Sequence, residues 1–206
     1  MIGKGLLIIL SGPSGVGKGT VCRVLCQENR RLVRTTSLTT RSPRKGERDG
    51  VDYHFVDEKK FHELKEQGAF LEWAKVHGNF YATLAQEVEE LRQKDYDVLL
   101  EIDVQGAAQI RNSSVEGVYI FLLPPSMEEL WRRIMGRGSD TPEAMKERFN
   151  NAYHELSEVW KYDYVVINDD ISRAARTIEG IIMAEKCRVE KNKQFLTDFI
   201  EKGDKY

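Results

Sequence analysis

The segment Gly12-Pro13-Ser14-Gly15-Val16-Gly17-Lys18 follows directly on the apolar run Leu6-Leu7-Ile8-Ile9-Leu10 and leads into a helix-periodic stretch. Few features constrain a fold as tightly. The apolar run reads as a buried strand, and glycines permit backbone angles that other residues resist. The N–H groups of such a turn converge on an anion together with the N-terminus of the next helix. Lys18 brings a full positive charge to the outer phosphates. The pattern G-x-x-x-x-G-K-[ST] is met except at its last position, where Gly19 stands and Thr20 follows. Either Thr20 supplies the hydroxyl for a metal or water completes the metal shell. A plain glycine-rich turn does not require strand, framing glycines, lysine and helix to coincide, so a nucleoside triphosphate site is predicted.

With 206 residues the chain is long enough for one core domain with insertions. Its formal net charge of -2 gives no overall attraction to nucleic acid or an anionic membrane, so any anion must be held by local clusters of base. No apolar run spans a bilayer and the N-terminus lacks a signal-peptide pattern, so a cytoplasmic protein is expected. Cys22, Cys26 and Cys187 fit neither a disulfide framework nor a metal spacing, and His54, His62, His77 and His154 form no ligand cluster. Oligomeric state stays open, a homo-oligomer being compatible with the sequence.

Strand-like and helix-like segments alternate. Leu6 to Leu10, Val98 to Ile102, Val118 to Leu123 and Tyr164 to Ile167 read as buried strands. Lys18 to Glu28, Val104 to Arg111, a segment opening with the capping box Ser126-x-x-Glu129, and a long C-terminal stretch from about Ser172 read as helices. The pattern predicts an α/β fold, a parallel sheet covered by helices on both faces, with ligands at the carboxyl ends of its strands. Residues 37–84 interrupt it with turns, short aromatic strands around Tyr53-His54-Phe55, Phe70 to Trp73 and Asn79 to Tyr81, and one helix from Glu58 to about Gln67. This reads as a small inserted α+β subdomain. A second insertion, Gly136-Arg137-Gly138-Ser139-Asp140, precedes a helix with Thr141 as N-cap and Pro142 in its first turn, and its glycines predict a mobile lid.

On these residues the chain resembles the guanylate kinases, P-loop nucleoside monophosphate kinases. The matching stretches are Gly12 to Gly15, Ser37 to Glu47, Gly50-Val51-Asp52-Tyr53, Phe70-Leu71-Glu72-Trp73, Leu100 to Gly106, Pro124-Pro125, Gly136-Arg137-Gly138 and Val166 to Asp169. The resemblance implies Mg²⁺-dependent transfer of the ATP γ-phosphoryl group to GMP or dGMP. It implies a P-loop core at 1–36, 85–127 and 151–206, a GMP-binding subdomain at 37–84 and a lid at 128–150. The partners implied are ATP and GMP or dGMP, with no nucleic acid and no membrane.

Residue by residue, the resemblance implies that Arg41, Arg44, Tyr53 and Tyr81 hold the GMP phosphate, a chemistry that suits two guanidinium forks and two phenols. Glu72 would read guanine, whose N1–H and exocyclic amine lie side by side where one carboxylate accepts both, with Ser37, Thr83 and Asp103 in support. Glu101 would reach a magnesium-bound water or the phosphate arginines; a strand-end acid paired to a local arginine is the plain alternative. On the ATP side, Gly12, Pro13, Ser14, Gly15, Val16, Gly17, Lys18, Gly19 and Thr20 would wrap the phosphates. Lys18, Arg41, Arg133, Arg137 and Arg148 would carry catalysis, Asn168 with Asp169 would lie near adenine, and Thr20 is the metal-ligand candidate. Arg133 and Arg137, an i, i+4 pair, are expected to project into one cleft.

Two positions depart from the family pattern: Ala82 replaces a glycine beside the base site, and Glu101 stands where many relatives carry aspartate. Two other readings compete. A kinase of AMP or TMP would share P-loop and lid without needing Glu72. A non-catalytic guanylate-kinase-like scaffold module would typically lose the P-loop or lid chemistry that Lys18 and the arginines retain.

Overall fold

The computed structural model describes residues 4–76, 78–136 and 142–203, the side chains of 142–148 excepted. Strand β1 (Leu7–Ser11) is wholly buried because it lies mid-sheet. It pairs in parallel with β7 (Asp97–Glu101) on one side and β8 (Val118–Leu123) on the other. With β2 (Leu32–Arg34) and β9 (Tyr164–Ile167) at the edges, the order is β2-β7-β1-β8-β9, parallel throughout. Alternate β1 side chains enter opposite layers, as the two-residue period of a strand requires. Ile8 and Leu10 pack with Val21, Leu25, Ala174 and Ile178 of α1 (Lys18–Glu28) and α7 (Ile171–Lys186). Leu7 and Ile9 pack with Val88, Leu91, Ala107 and Ile110 of α3 (Ala85–Gln93) and α4 (Val104–Arg111).

The differences from expectation are local. β7 begins one residue early because Asp97, 0% exposed, is held from two sides. It accepts the Leu6 amide at 3.0 Å and pairs with Lys186 at 2.5 Å. α7 begins at Ile171 because Asp170 caps it, accepting from the Arg173 amide at 2.8 Å. At α5 (Met127–Met135) only half of the capping box forms: Ser126 accepts the Glu129 amide, while the Glu129 carboxylate turns to Arg132 and Arg133. β2, α3 and a further helix, α8 (Lys193–Gly203), were not anticipated. Thr141, the expected cap of α6 (Pro142–Ser157), and His77 lie outside the described residues.

Residues 38–84 carry a second sheet, in line with the expected α+β insertion. Its order is β4-β3-β6-β5, built from β3 (Leu38–Thr39), β4 (His54–Phe55), β5 (Phe70–Val76) and β6 (Asn79–Leu84). α2 (Glu58–Glu66), capped by Asp57, inserts Phe61 against Phe80, with ring centroids 4.7 Å apart. Leu38 and Ala82 complete that small core. Cys22, Cys26 and Cys187 are free, and burial pushes the Cys22 and Cys26 thiols up, which disfavours their thiolate forms. Among the described residues no helix is long and apolar enough to cross a membrane.

Candidate active site

The carboxyl ends of β1, β2 and β7 open on a cleft of about 1510 Å³, whose other wall is the second sheet and whose far rim is α6. The loop from Gly12 to Gly17 turns tightly above the start of α1, with Gly15 at φ 88° and Gly17 at φ 99°, left-handed values that favour glycine. A Cβ on Gly17 would stand 2.7 Å from Asn168 Nδ2. That amide donates to Val16 O at 2.7 Å, and Arg133 donates from Nη1 to Val16 O at 3.1 Å and from Nη2 to Asn168 O at 3.0 Å. Arg133 Nε is engaged by Glu129 at 2.8 Å. Arg133 and Asn168 thus brace the loop from below and do not line the cleft, contrary to the expectation that Arg133 projects into it. Arg137 lies outside the described residues, as does the side chain of Arg148.

Lys18 lines the cleft and folds back on the loop, donating from Nζ to Gly12 O at 2.5 Å and to Pro13 O at 3.4 Å. Burial lowers its pKa, while the carboxylates of Glu155, Glu101 and Asp103 act to raise it. Glu155, on α6, accepts the Ser14 amide at 2.9 Å. A carboxylate of the chain itself therefore occupies a backbone donor of the anion-binding turn. Gly19 faces the cleft, and a Cβ there would stand 3.2 Å from Glu101 Oε1. The space that a serine or threonine side chain would fill is bordered by the Glu101 carboxylate, and Thr20 does not line the cleft. Glu101 also pairs with Arg34 at 3.1 Å, so the plain reading of that acid is realised as well.

On the opposite wall, a bulge between Phe70 and Glu72 changes the phase of β5. Without it Phe70 and Glu72 would share a face; with it Phe70 enters the small core and Glu72 opposes Thr83 across the strands. Glu72 is 5% exposed and lines the cleft, and Thr83 Oγ1 donates to its Oε1 at 2.6 Å. Burial lifts its carboxyl from the ordinary 4.5 to about 7; the Asp103 charge adds to this and the Thr83 hydrogen bond opposes it. Asp103 caps α4, accepting the Gly106 amide at 2.9 Å. Ser37, Tyr53, Tyr81 and Asp103 join Glu72 on the cleft wall, and the two tyrosine rings meet edge-on with centroids 6.0 Å apart. Ala82 points the other way, into the small core with Leu38 and Phe61, so its methyl fills packing space and leaves the cleft unchanged.

Arg41 and Arg44 stand behind this wall. Arg41 pairs with Glu47 at 2.9 Å, donates to Ser42 O at 2.8 Å and lies over the Tyr53 ring at 5.3 Å. The bond to Glu47 is the main cause that holds its pKa above the ordinary value. The Arg44 amide donates to Glu47 Oε2 at 2.7 Å, and its side chain is exposed. Neither arginine lines the cleft, whereas Glu47 does. Sequence reasoning missed Glu47 and Glu155. Glu47 lies inside the run matched for its basic residues, and Glu155, 141 residues from Ser14, carries no local signal.

One wall of the cleft therefore carries backbone amides and a lysine suited to a polyphosphate, and the other a buried carboxylate suited to paired N–H donors. Comparison with known proteins agrees. The guanylate kinase family model matches residues 4–185. A guanylate kinase of Caldanaerobacter subterraneus subsp. tengcongensis is 52% identical over 190 residues, 92% of each chain. One of Clostridioides difficile is 48% identical over 195 residues, 95% of each chain. The crystal structure of guanylate kinase from Anaplasma phagocytophilum superposes with a TM-score of 0.76 at 37% identity, covering 92% of this chain and 90% of that one. With this fold, this cleft and these relatives, the chain belongs to the guanylate kinase family.

Proposed function

We propose that the chain transfers the γ-phosphoryl group of ATP to GMP or dGMP, giving ADP and GDP or dGDP. The observation that carries this reading is the buried Glu72, held from behind by Thr83, on the cleft wall across from the Lys18 loop. The acceptor nucleophile is a phosphate oxygen of the nucleotide, so no nucleophilic side chain is needed. The protein supplies positioning, charge neutralisation and exclusion of water. Gly12 to Thr20 wrap the ATP phosphates and Lys18 moves from the loop carbonyls onto the transferred group. Arg41 and Arg44 exchange Glu47 for the GMP phosphate, joined by Tyr53 and Tyr81, while Glu72, Ser37, Thr83 and Asp103 select the base. Arg133 acts on the phosphates through the loop that it braces, with Asn168, and Arg137 and Arg148 arrive when residues 128–150 close as a lid over the core at 1–36, 85–127 and 151–206. Residues 37–84 close over GMP.

Hard oxygen donors suit Mg²⁺, and Glu101 and Asp103 supply them beside Lys18 and Gly19. Thr20, the metal-ligand candidate, lies off the cleft wall, so an ion beside Glu101 and Asp103 would be held mainly by nucleotide phosphates and water. When bound, the ion supplies neutralisation of phosphate charge. Small nucleotides, rather than nucleic acid or membrane, are the partners that suit a chain of net charge -2, and a cytoplasmic location fits its use of ATP. ADP formation from ATP with GMP, AMP, TMP or no acceptor tests the reading. Turnover with GMP well above the others is expected, and equal turnover of AMP or TMP would refute it.

A further inference from the structure

Glu72 sits on β5, the edge strand of the smaller sheet, whereas the phosphate loop belongs to the larger one. The geometry between base and phosphates therefore depends on what ties β5 to the core. That tie is α4. The side-chain amide of Gln109 pairs with the backbone of Trp73 in both directions: Nε2 donates to Trp73 O at 2.5 Å, and Oε1 accepts from Trp73 N at 3.2 Å. One side chain makes the pairing that a neighbouring strand would make, at the residue next to Glu72.

One helical turn earlier, Gly106 lies against the Glu72 carboxylate, and a Cβ at Gly106 would collide with Glu72 Oε2. Glycine disfavours a helix relative to alanine, so its place in the first turn of an eight-residue helix calls for a steric reason, and this contact provides one. Gly106 and Gln109 are three residues apart and so share a helix face. The first sets the depth of the carboxylate and the second sets the height of its backbone.

We propose that Gln109 and Gly106 are positioning residues for base selection, holding Glu72 so that its two oxygens meet guanine N1–H and the exocyclic amine together. The inference rests on the reading of Glu72 as the guanine acceptor. Accepting a single N–H tolerates a shifted carboxylate; accepting two adjacent ones does not. Loss of the tie therefore acts on discrimination before it acts on chemistry.

IMP is the discriminating probe, because it keeps the phosphate, ribose and N1–H of GMP and lacks the exocyclic amine. Gln109→Ala, Gln109→Glu, Gly106→Ala and, as reference, Glu72→Gln are compared by kcat and KM for GMP and IMP, KM for ATP, and thermal midpoint. Gln109→Ala is expected to raise the GMP KM about tenfold, the scale of one charge-assisted hydrogen bond. The IMP KM, the ATP KM and kcat should change less than about twofold, so the GMP preference over IMP falls by nearly the same tenfold. Gln109→Glu keeps an acceptor for the Trp73 N–H but sets an oxygen against the Trp73 carbonyl, and should lose as much preference. Gly106→Ala, with the better helix former, should lose preference without loss of thermal midpoint. An unchanged GMP-to-IMP ratio in Gln109→Ala and Gly106→Ala, beside a collapsed ratio in Glu72→Gln, would overturn the positioning role. So would a parallel fall in kcat and in both nucleotide affinities, the signature of general unfolding. An unchanged ratio in Glu72→Gln would remove the reading of Glu72, and this inference with it.

Discussion

Glu72→Gln should make the ligand-free protein more stable in mild alkali while spoiling its use of GMP. The Glu72 carboxyl is lifted from 4.5 to about 7 by burial. Because the folded value lies above the unfolded one, the folded chain keeps a proton that the unfolded chain has released. This group's contribution to stability is intact below pH 4.5, declines between 4.5 and 7, and is lost above. At ~1.36 kcal/mol for each pH unit of displacement, the loss comes to about 3 kcal/mol. Glutamine keeps an oxygen for the Thr83 hydroxyl and carries no charge, so the variant should escape the loss. Urea unfolding between pH 4 and 8 should give nearly equal stabilities at pH 4 and a variant about 3 kcal/mol the more stable at pH 8. GMP affinity should move oppositely. Since guanine needs the ionised carboxylate, wild-type affinity should fall about tenfold per unit of pH below 7, and the variant's should not. The phosphate's own second ionisation, near ~6, is common to both proteins and cancels in the difference. Parallel stability curves for the two proteins across this range would refute the argument.

Lys18→Ala should keep its fold and lose on the order of 10²–10³ in turnover, since one preorganised electrostatic donor is removed; near-normal turnover of a folded variant would contradict the role given to Lys18. Glu155→Gln should tighten ATP binding severalfold by calorimetry, because the phosphates would no longer compete with a carboxylate for the Ser14 amide. Weaker ATP binding would show instead that Glu155 supports the bound state. Hydrogen exchange in residues 37–84 should slow when GMP and a non-hydrolysable ATP analogue bind together, while β1, β7 and β8 change little. Uniform protection across the chain would count against hinged closure.

β1, β7 and β8 are legible in the sequence because each carries a continuous apolar run buried on both faces, as in Val118–Leu123. Tyr164–Ile167 is apolar too and forms β9, but it is not the buried strand expected: at the edge of the sheet only Val166 is buried, while Val165 and Ile167 are exposed. β2 and β3 are not legible, since three and two residues carry no period, and their partners, Asp97 to Leu99 for β2 and Tyr81 with Ala82 for β3, lie far along the chain. In the site, Glu72 and Thr83 could be named from a motif, but their contact depends on a bulge that nothing in Phe70-Leu71-Glu72 announces. Arg133 shows the reverse limit of local spacing. Its i, i+4 spacing to Arg137 was visible, whereas the carbonyls of Val16 and Asn168 that hold it are 117 and 35 residues away. Local rules assign residue types to chemistry, and only tertiary pairing decides which donors remain available.

The sheet order also sets a timetable for synthesis. β1 is made first, yet Leu7 pairs with Val98 and Ile8 with Val118, so the strand has no partner until the insertion has been translated. At roughly 5–20 residues per second, the wait from Leu7 to Val98 lasts about 5–20 s. The smaller sheet has no such delay, because β5 and β6 form a hairpin that closes between Val76 and Asn79. A nascent chain halted before residue 97 would thus carry a formed small sheet beside an unpaired, uncharged Leu7–Ser11, the kind of segment that recruits other chains.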